Sequence, residues 1–180
     1  MIRLVLGAGL LAMSVLFAQP KETKISGFTI EQEIVLPGSH TEVYDAVTGD
    51  ISPWWDHTFS PKPKKFYIEA RPGGGFYEIF NDAGDGVLNA TVIYAERGKR
   101  LRFTGPLVLS GKVADFAVTY DLAADPGGTL FHLTVNIAGQ LPDGIEKIAD
   151  SVWRHLLVER LKPYLESPEY KKRTGAQVKN

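Results

Sequence analysis

The sequence predicts an α+β fold in which one curved antiparallel sheet of about seven strands wraps around a long C-terminal helix. Two observations predict this class. From residue 28 to residue 138, short segments alternate apolar and polar side chains and are separated by turns rich in glycine, proline and aspartate. From residue 143 to residue 165, apolar side chains recur every three or four residues, the spacing of a helix with one buried face. Antiparallel strands with helices set apart are typical of α+β proteins.

The first strand is predicted at residues 28–36, where apolar and polar side chains alternate. Ser39 followed by Glu42 is a capping-box pattern, so a short helix is expected to begin there and to run to about residue 49. Residues 51–57 contain the adjacent Trp54 and Trp55, and we expect a second short helix or a turn that buries both indole rings.

Six further strands are predicted as a meander, so that each strand pairs with the next. They are expected at residues 65–70, 75–81, 86–96, 99–105, 112–123 and 128–138. Glycine-rich and aspartate-rich turns separate them, and the triple glycine at residues 73–75 indicates a hairpin turn or bulge with positive φ. The last two strands each have one apolar and one polar face, as a sheet packed on one side requires.

The C-terminal helix carries a wide apolar stripe and needs a broad, concave partner. Asp143 and Glu146 form a second capping-box pattern, which predicts the start of the helix. Pro163 lacks a backbone N–H and is expected to kink or weaken the last turn. Ser167 and Pro168 are expected to end the helix and to begin a polar C-terminal tail, residues 167–180. Within it, residues 169–180 are expected to be loosely ordered.

The composition is that of one ordinary globular domain. The chain has 180 residues, of which 44% are hydrophobic and 23% charged, with a net charge of −1. A nearly neutral chain gives no reason to expect a nucleic-acid partner. The absence of cysteine excludes a disulfide framework, a thiolate metal site, a nucleophilic cysteine and a lipoprotein anchor.

The first 18 residues have the layout of a secretory signal peptide. Arg3 precedes an uncharged apolar run from residue 4 to residue 17, and Ala18 precedes a polar segment. The run is short for a membrane span. We therefore predict cleavage after Ala18 and a periplasmic or secreted protein. The alternative is an uncleaved N-terminal anchor, which would be the chain's one contact with a membrane.

Several segments resemble the SRPBCC superfamily, which has the START-like, helix-grip fold. They are residues 37–47, residues 51–56, the run from Gly73 to Phe76, and the helix segments at residues 153–154 and 160–165. The chain looks most similar to bacterial proteins related to the C-terminal domain of the heat-shock ATPase activator. The resemblance covers residues 25–166 and implies a cavity between the long helix and the sheet that binds an apolar molecule. The superfamily also includes polyketide cyclases and co-chaperone domains.

The residues predicted to contact a ligand are aromatic side chains of the expected core and a few polar ones at its edge. Glu78 faces inward if Phe76 and Phe80 do, whereas the other register places Tyr77 and Ile79 inside and leaves Glu78 in water. A carboxyl group enclosed by aromatic rings can act as an acid, a base or a ligand anchor. The predicted ligand-binding residues are Trp54, Trp55, Glu78, Tyr94, Tyr120, Trp153, Leu157 and Arg160.

No catalytic residue, cofactor or metal is predicted. The four histidines, His40, His57, His132 and His155, do not have the spacing of metal ligands, and Asp56 beside His57 is only an adjacent pair. The sequence contains no nucleophile elbow and no phosphate-binding loop.

The preferred interpretation is an exported binding domain, monomeric or weakly dimeric, that holds a small hydrophobic or amphipathic molecule between sheet and helix. Two alternatives stay open at this point. One is a cyclase-like or hydrolase-like enzyme that uses Glu78 or a tyrosine to move a proton, which requires two convergent ionisable groups. The other is a co-chaperone-like interaction domain with a collapsed cavity and an exposed apolar patch.

Overall fold

A computed structural model describes residues 22–174 and confirms the α+β class. The predicted signal peptide, residues 1–18, and the end of the tail, residues 175–180, lie outside the described residues. The antiparallel sheet has the strand order β1-β8-β7-β6-β5-β4-β3-β2. Its strands are β1 (Ser26–Leu36), β2 (Gly49–Asp50), β3 (Lys65–Ile68), β4 (Gly75–Ile79), β5 (Gly86–Glu96), β6 (Arg100–Gly105), β7 (Ala114–Asp125) and β8 (Gly128–Gly139).

The sheet has eight strands instead of about seven because the two-residue β2 pairs with β3. The remaining elements are helix α1 (His40–Ala46), a 3₁₀ turn (Leu107–Leu109), helix α2 (Ile145–Arg154), a π-helical segment (His155–Leu161), α3 (Lys162–Glu166) and α4 (Pro168–Thr174). We call the continuous helical stretch from α2 to α3 the C-terminal helix. No helix within residues 22–174 has the length and apolar character needed to cross a membrane.

One face of the sheet is buried against the C-terminal helix, as the alternation predicted. In β7 and β8 the buried side chains are Phe116, Val118, Tyr120, Leu122, Phe131, Leu133, Val135 and Ile137. The helix presents Trp153 to this face, with its ring centroid 6.4 Å from that of Tyr120 in an edge-to-face arrangement. Leu156, Leu157 and Leu161 are buried beside it. Burial of these apolar surfaces is the main force that holds helix and sheet together.

The ends of the helices differ in part from the prediction. The Ser39–Glu42 capping box of α1 is present. The second capping box is wrong, because α2 begins at Ile145 behind Gly144, whose φ of 75° turns the chain, and no side chain caps the first turn. The C-terminal helix continues through Pro163 and ends at Glu166, directly before Ser167 and Pro168, as predicted. The helix is wider just before Pro163, where the Lys162 N–H donates to the Leu157 carbonyl, and this rewinding accommodates the missing proline donor.

The structure decides between two alternatives at one segment and corrects another. Residues 51–57, predicted as a second short helix or a turn, form a turn in which the N–H groups of Trp54 and Trp55 both donate to the Ile51 carbonyl, at 3.2 and 3.0 Å. The first residues of the tail are not loose, since residues 168–174 form α4. Tyr170 is buried, its ring packs on Tyr164, and its hydroxyl donates to the Glu42 carbonyl at 2.7 Å. One aromatic side chain thus orders an otherwise polar segment.

Candidate functional site

A cavity of about 490 Å³ lies between α2, the inner face of the sheet and two loop segments, residues 55–59 and 107–109. Its walls are apolar except for His57, Thr58 and Asn89. The apolar lining residues are Trp55, Phe59, Phe66, Phe76, Leu107, Val108, Leu109, Phe116, Ile145, Ile148, Ala149, Val152, Trp153 and Leu156.

The cavity lies beside the first turns of α2, where the apolar stripe of the helix is only partly buried. Ile148 belongs to the apolar stripe of the helix, yet it is 58% exposed. Phe59 and Val108 are also exposed, so an apolar rim surrounds the opening. Leu107, at the start of the 3₁₀ turn, has a φ of 45°, which is unusual for a side chain of this shape. Strained backbone of this kind is concentrated at functional sites.

Trp55 forms the centre of the aromatic wall. Its ring centroid lies 5.3 Å from that of Phe76, 5.7 Å from that of Trp153 and 6.0 Å from that of Phe66. The indole N–H donates to the carbonyl of His57 at 2.9 Å, which fixes the ring and the neighbouring loop together. The wall is therefore preorganised, because its rings hold one another in place.

A β-bulge places one amide side chain in this apolar wall. Phe76 of β4 pairs with Ala90 and Tyr77 pairs with Leu88, so Asn89 has no partner in the register. A bulge turns two successive side chains towards the same face. Asn89 and Ala90 are accordingly both buried, at 5% and 2% exposure, and Asn89 lines the cavity.

A hydrogen-bonded network ties the loop at the cavity mouth to the C-terminal helix. Asp56 contacts His57 Nδ1 at 2.8 Å, His155 Nε2 at 2.9 Å and Arg160 Nε at 3.1 Å. His155 Nδ1 lies 2.9 Å from Glu159. Hydrogen bonds to Asp56 and Glu159 raise the pKa of His155. Partial burial opposes ionisation of Asp56, but the hydrogen bonds from His155 and His57 and the Arg160 charge outweigh it and lower the pKa of Asp56.

Three members of this network have the arrangement of metal ligands. Asp56, His57 and His155 each present one ligand atom, and these atoms lie within 4.8 Å of one another. The Arg160 guanidinium already pairs with the Asp56 oxygen that contacts His155. Its positive charge would repel a divalent cation at that oxygen. The sequence did not predict this cluster, because Asp56 and His155 are 99 residues apart. Its observed contacts make it a clamp between the loop and the helix.

Of the eight predicted ligand-binding residues, the structure places Trp55 and Trp153 in the cavity wall. Trp54, Tyr120 and Leu157 are buried in the core away from it. The Trp54 indole N–H donates to the Ala46 carbonyl at 2.9 Å. Burial raises the pKa of Tyr120 above its usual range.

The other three predicted ligand-binding residues do not line the cavity. Glu78 faces inward and is fully buried, but its carboxylate accepts the backbone N–H groups of Phe59 and Ser60 at 2.9 and 2.7 Å. Tyr94 is 40% exposed on the outer face, because the register between β5 and β6 skips Ile93 and this second bulge reverses the alternation. Arg160 reaches the loop, where its Nε donates to the Trp54 carbonyl at 3.3 Å, and not the cavity.

Comparison with known proteins identifies the fold. No family model matches the sequence, and no curated protein matches it. An uncharacterized protein from Rhizobium leguminosarum superposes with a TM-score of 0.65 at 17% identity, covering 81% of this chain and 99% of that one. A protein of unknown function from Staphylococcus aureus gives 0.59 at 11% identity, covering 86% and 99%. Ara h 8.0201 gives 0.56 at 17%, covering 78% and 98%. These likenesses are consistent with the helix-grip, START-like fold.

Proposed function

We propose that this protein binds a small, largely apolar molecule in the cavity between the C-terminal helix and the sheet. The observation that carries the proposal is the cavity of about 490 Å³ with almost entirely apolar walls. Protein interiors are normally packed as closely as organic crystals, whereas this open cavity leaves apolar wall surface in contact with water. A bound apolar molecule would remove that surface from water, which is favourable. The volume falls in the range of small-molecule sites, which is roughly 300–1,000 Å³.

The chemistry of the walls supports binding rather than acid–base catalysis. Catalysis of this kind needs at least two ionisable groups that converge on the substrate. Among the described lining residues, His57 is the only one with an ionisable side chain. Glu78 is occupied by two backbone N–H groups and Tyr120 is enclosed in the core. Neither residue is free for the proton transfer that the enzyme alternative required.

We also propose where the protein acts and to which group it is related. We infer export to the periplasm or beyond from the layout of residues 1–18, and kinship with the heat-shock activator group from the sequence resemblance. A carrier for an apolar molecule in an aqueous compartment agrees with a cavity that opens to solvent through an apolar rim of Phe59, Val108 and Ile148.

The test is equilibrium binding of a neutral fluorescent probe, N-phenyl-1-naphthylamine, to three proteins. Ala149 faces the cavity from α2, and Ala149→Phe places a ring in the void. Val158 is 46% exposed on the same helix and does not line the cavity, so Val158→Phe is the matched control. We expect saturable binding to the wild type, at least about tenfold weaker binding to Ala149→Phe, a loss of about 1.4 kcal/mol, and unchanged binding to the control.

Two results would overturn the proposal. One is a wild-type protein that does not bind the probe. The other is equal binding to all three proteins, with circular dichroism showing that each is folded, because the probe would then bind outside the cavity.

A further inference from the structure

The Asn89 amide is a polar group of the cavity wall. Within residues 22–174 its side chain makes no hydrogen bond to another residue, although Asn89 is only 5% exposed. Buried amides are almost always hydrogen-bonded, to the protein or to water. The Asn89 amide borders the cavity, so a hydrogen-bond partner that enters the cavity can reach it.

The other polar lining groups are already engaged. Thr58 Oγ1 donates to the Ser60 carbonyl at 2.7 Å, and His57 Nδ1 lies 2.8 Å from Asp56. Both also belong to the loop at the mouth, where the His57 side chain is 44% exposed and can exchange hydrogen bonds with water. Asn89 instead projects from β5, where the bulge places it among buried side chains.

We propose that Asn89 is a hydrogen-bond anchor for the polar end of the bound molecule, and that this end is an uncharged carbonyl or hydroxyl group. The inference rests on the proposed binding function and names the ligand class. An asparagine side chain offers both a donor and an acceptor, so it complements a carbonyl or a hydroxyl group. No Lys, Arg, Asp or Glu is among the lining residues in the described part of the chain. A formally charged group would therefore be buried without a counter-ion, at a large cost.

The positions of these groups also orient the ligand. The rim is apolar and exposed at Phe59, Val108 and Ile148, whereas the unpaired amide belongs to the buried wall. The polar end of the molecule consequently points inward to Asn89, and the apolar body extends towards the rim. A molecule without a polar end would fill the volume but leave the amide unpaired.

The test compares three naphthalene derivatives of similar shape: 2-acetonaphthone with a carbonyl, 2-ethylnaphthalene with none, and the anion 2-naphthoate. Dissociation constants are measured by calorimetry for the wild type and Asn89→Leu, which keeps the size of the side chain and removes the amide. Asn136→Leu is the control, because Asn136 lies exposed on β8 and accepts a hydrogen bond from Thr29 at 2.8 Å. Asn89→Ala, which removes the amide without adding apolar bulk, is the second variant if Asn89→Leu does not fold.

We expect the wild type and Asn136→Leu to prefer 2-acetonaphthone to 2-ethylnaphthalene by about three- to tenfold, the worth of one neutral hydrogen bond, and to bind 2-naphthoate most weakly. Asn89→Leu should lose this preference and still bind 2-ethylnaphthalene. It should also unfold at a higher temperature, because no unpaired amide is left in the wall.

The outcomes separate the two proposals. If all three compounds bind and Asn89→Leu keeps the wild-type preference, Asn89 is not the anchor, but the cavity still binds apolar molecules. If 2-naphthoate binds best, the inference of an uncharged polar end is wrong. If none of the compounds binds the wild type, the anchor fails together with the proposed binding function.

Discussion

Glu78→Gln distinguishes a structural carboxylate from a catalytic one. Glu78 is fully buried, and its two oxygens accept the N–H groups of Phe59 and Ser60, which hold the loop at the cavity mouth. Glutamine retains one acceptor oxygen but turns an NH₂ donor towards the second backbone N–H. The substitution therefore removes one charge-assisted bond, sets two donors against each other, and weakens the remaining bond.

The expected loss of stability follows from these contacts. A hydrogen bond to a charged group is worth roughly 1.5–3 kcal/mol. Phe59 is 46% exposed, so water recovers part of the loss at the loop. We expect the free energy of unfolding to fall by about 2 kcal/mol. In a protein of this size the midpoint of thermal unfolding then falls by about 4–8 °C.

The assay is urea unfolding followed by tryptophan fluorescence, with Glu31→Gln as the control. Glu31 is exposed on β1, and its substitution should change stability by less than about 0.5 kcal/mol. A Glu78→Gln protein as stable as the wild type, or more stable, would refute the reasoning. Such a result is typical of a strained catalytic acid, whose removal relieves the folded state.

Two further predictions concern the contacts around the site. The folded-state pKa of His155 is raised above its ordinary value of 6.5, so its contribution to stability is complete below about pH 6.5 and disappears as the pH rises through the folded-state pKa. The stability difference between wild type and His155→Gln should thus be larger at pH 6 than at pH 9 in urea unfolding, and equal differences would contradict the clamp. Tyr170→Phe removes the hydrogen bond to the Glu42 carbonyl and should cost about 1 kcal/mol. Unchanged thermal unfolding would show that α4 does not depend on this contact.

Local patterns predicted the strands and the helix well. In β7 and β8, every second side chain is buried, as in Phe116, Val118 and Leu133, because only one face of the sheet packs against the rest of the protein. The apolar stripe of the C-terminal helix was also predicted from the spacing, and its residues Trp153 and Leu156 are buried. Alternation and helical spacing are properties of neighbouring residues, so the sequence contains them directly.

The site was harder to predict because its geometry depends on departures from those patterns. Bulges at Asn89 and Ile93 reverse the alternation in β5, which buries an amide and exposes Tyr94. The clamp joins Asp56 to His155 across 99 residues, which no local spacing shows. The Pro and Gly residues between the strands indicated turns. No pattern in the sequence indicated a bulge within a strand.

The most direct test of the binding function is native mass spectrometry of wild-type protein and Ala149→Phe, both purified from the original host without denaturation. Ala149 lines the cavity, so the phenyl ring occupies the space that the bound molecule needs. We predict that the wild type carries an additional mass of a small molecule and that Ala149→Phe does not. A wild-type protein with no bound molecule in repeated preparations, or the same additional mass on both proteins, would contradict the account.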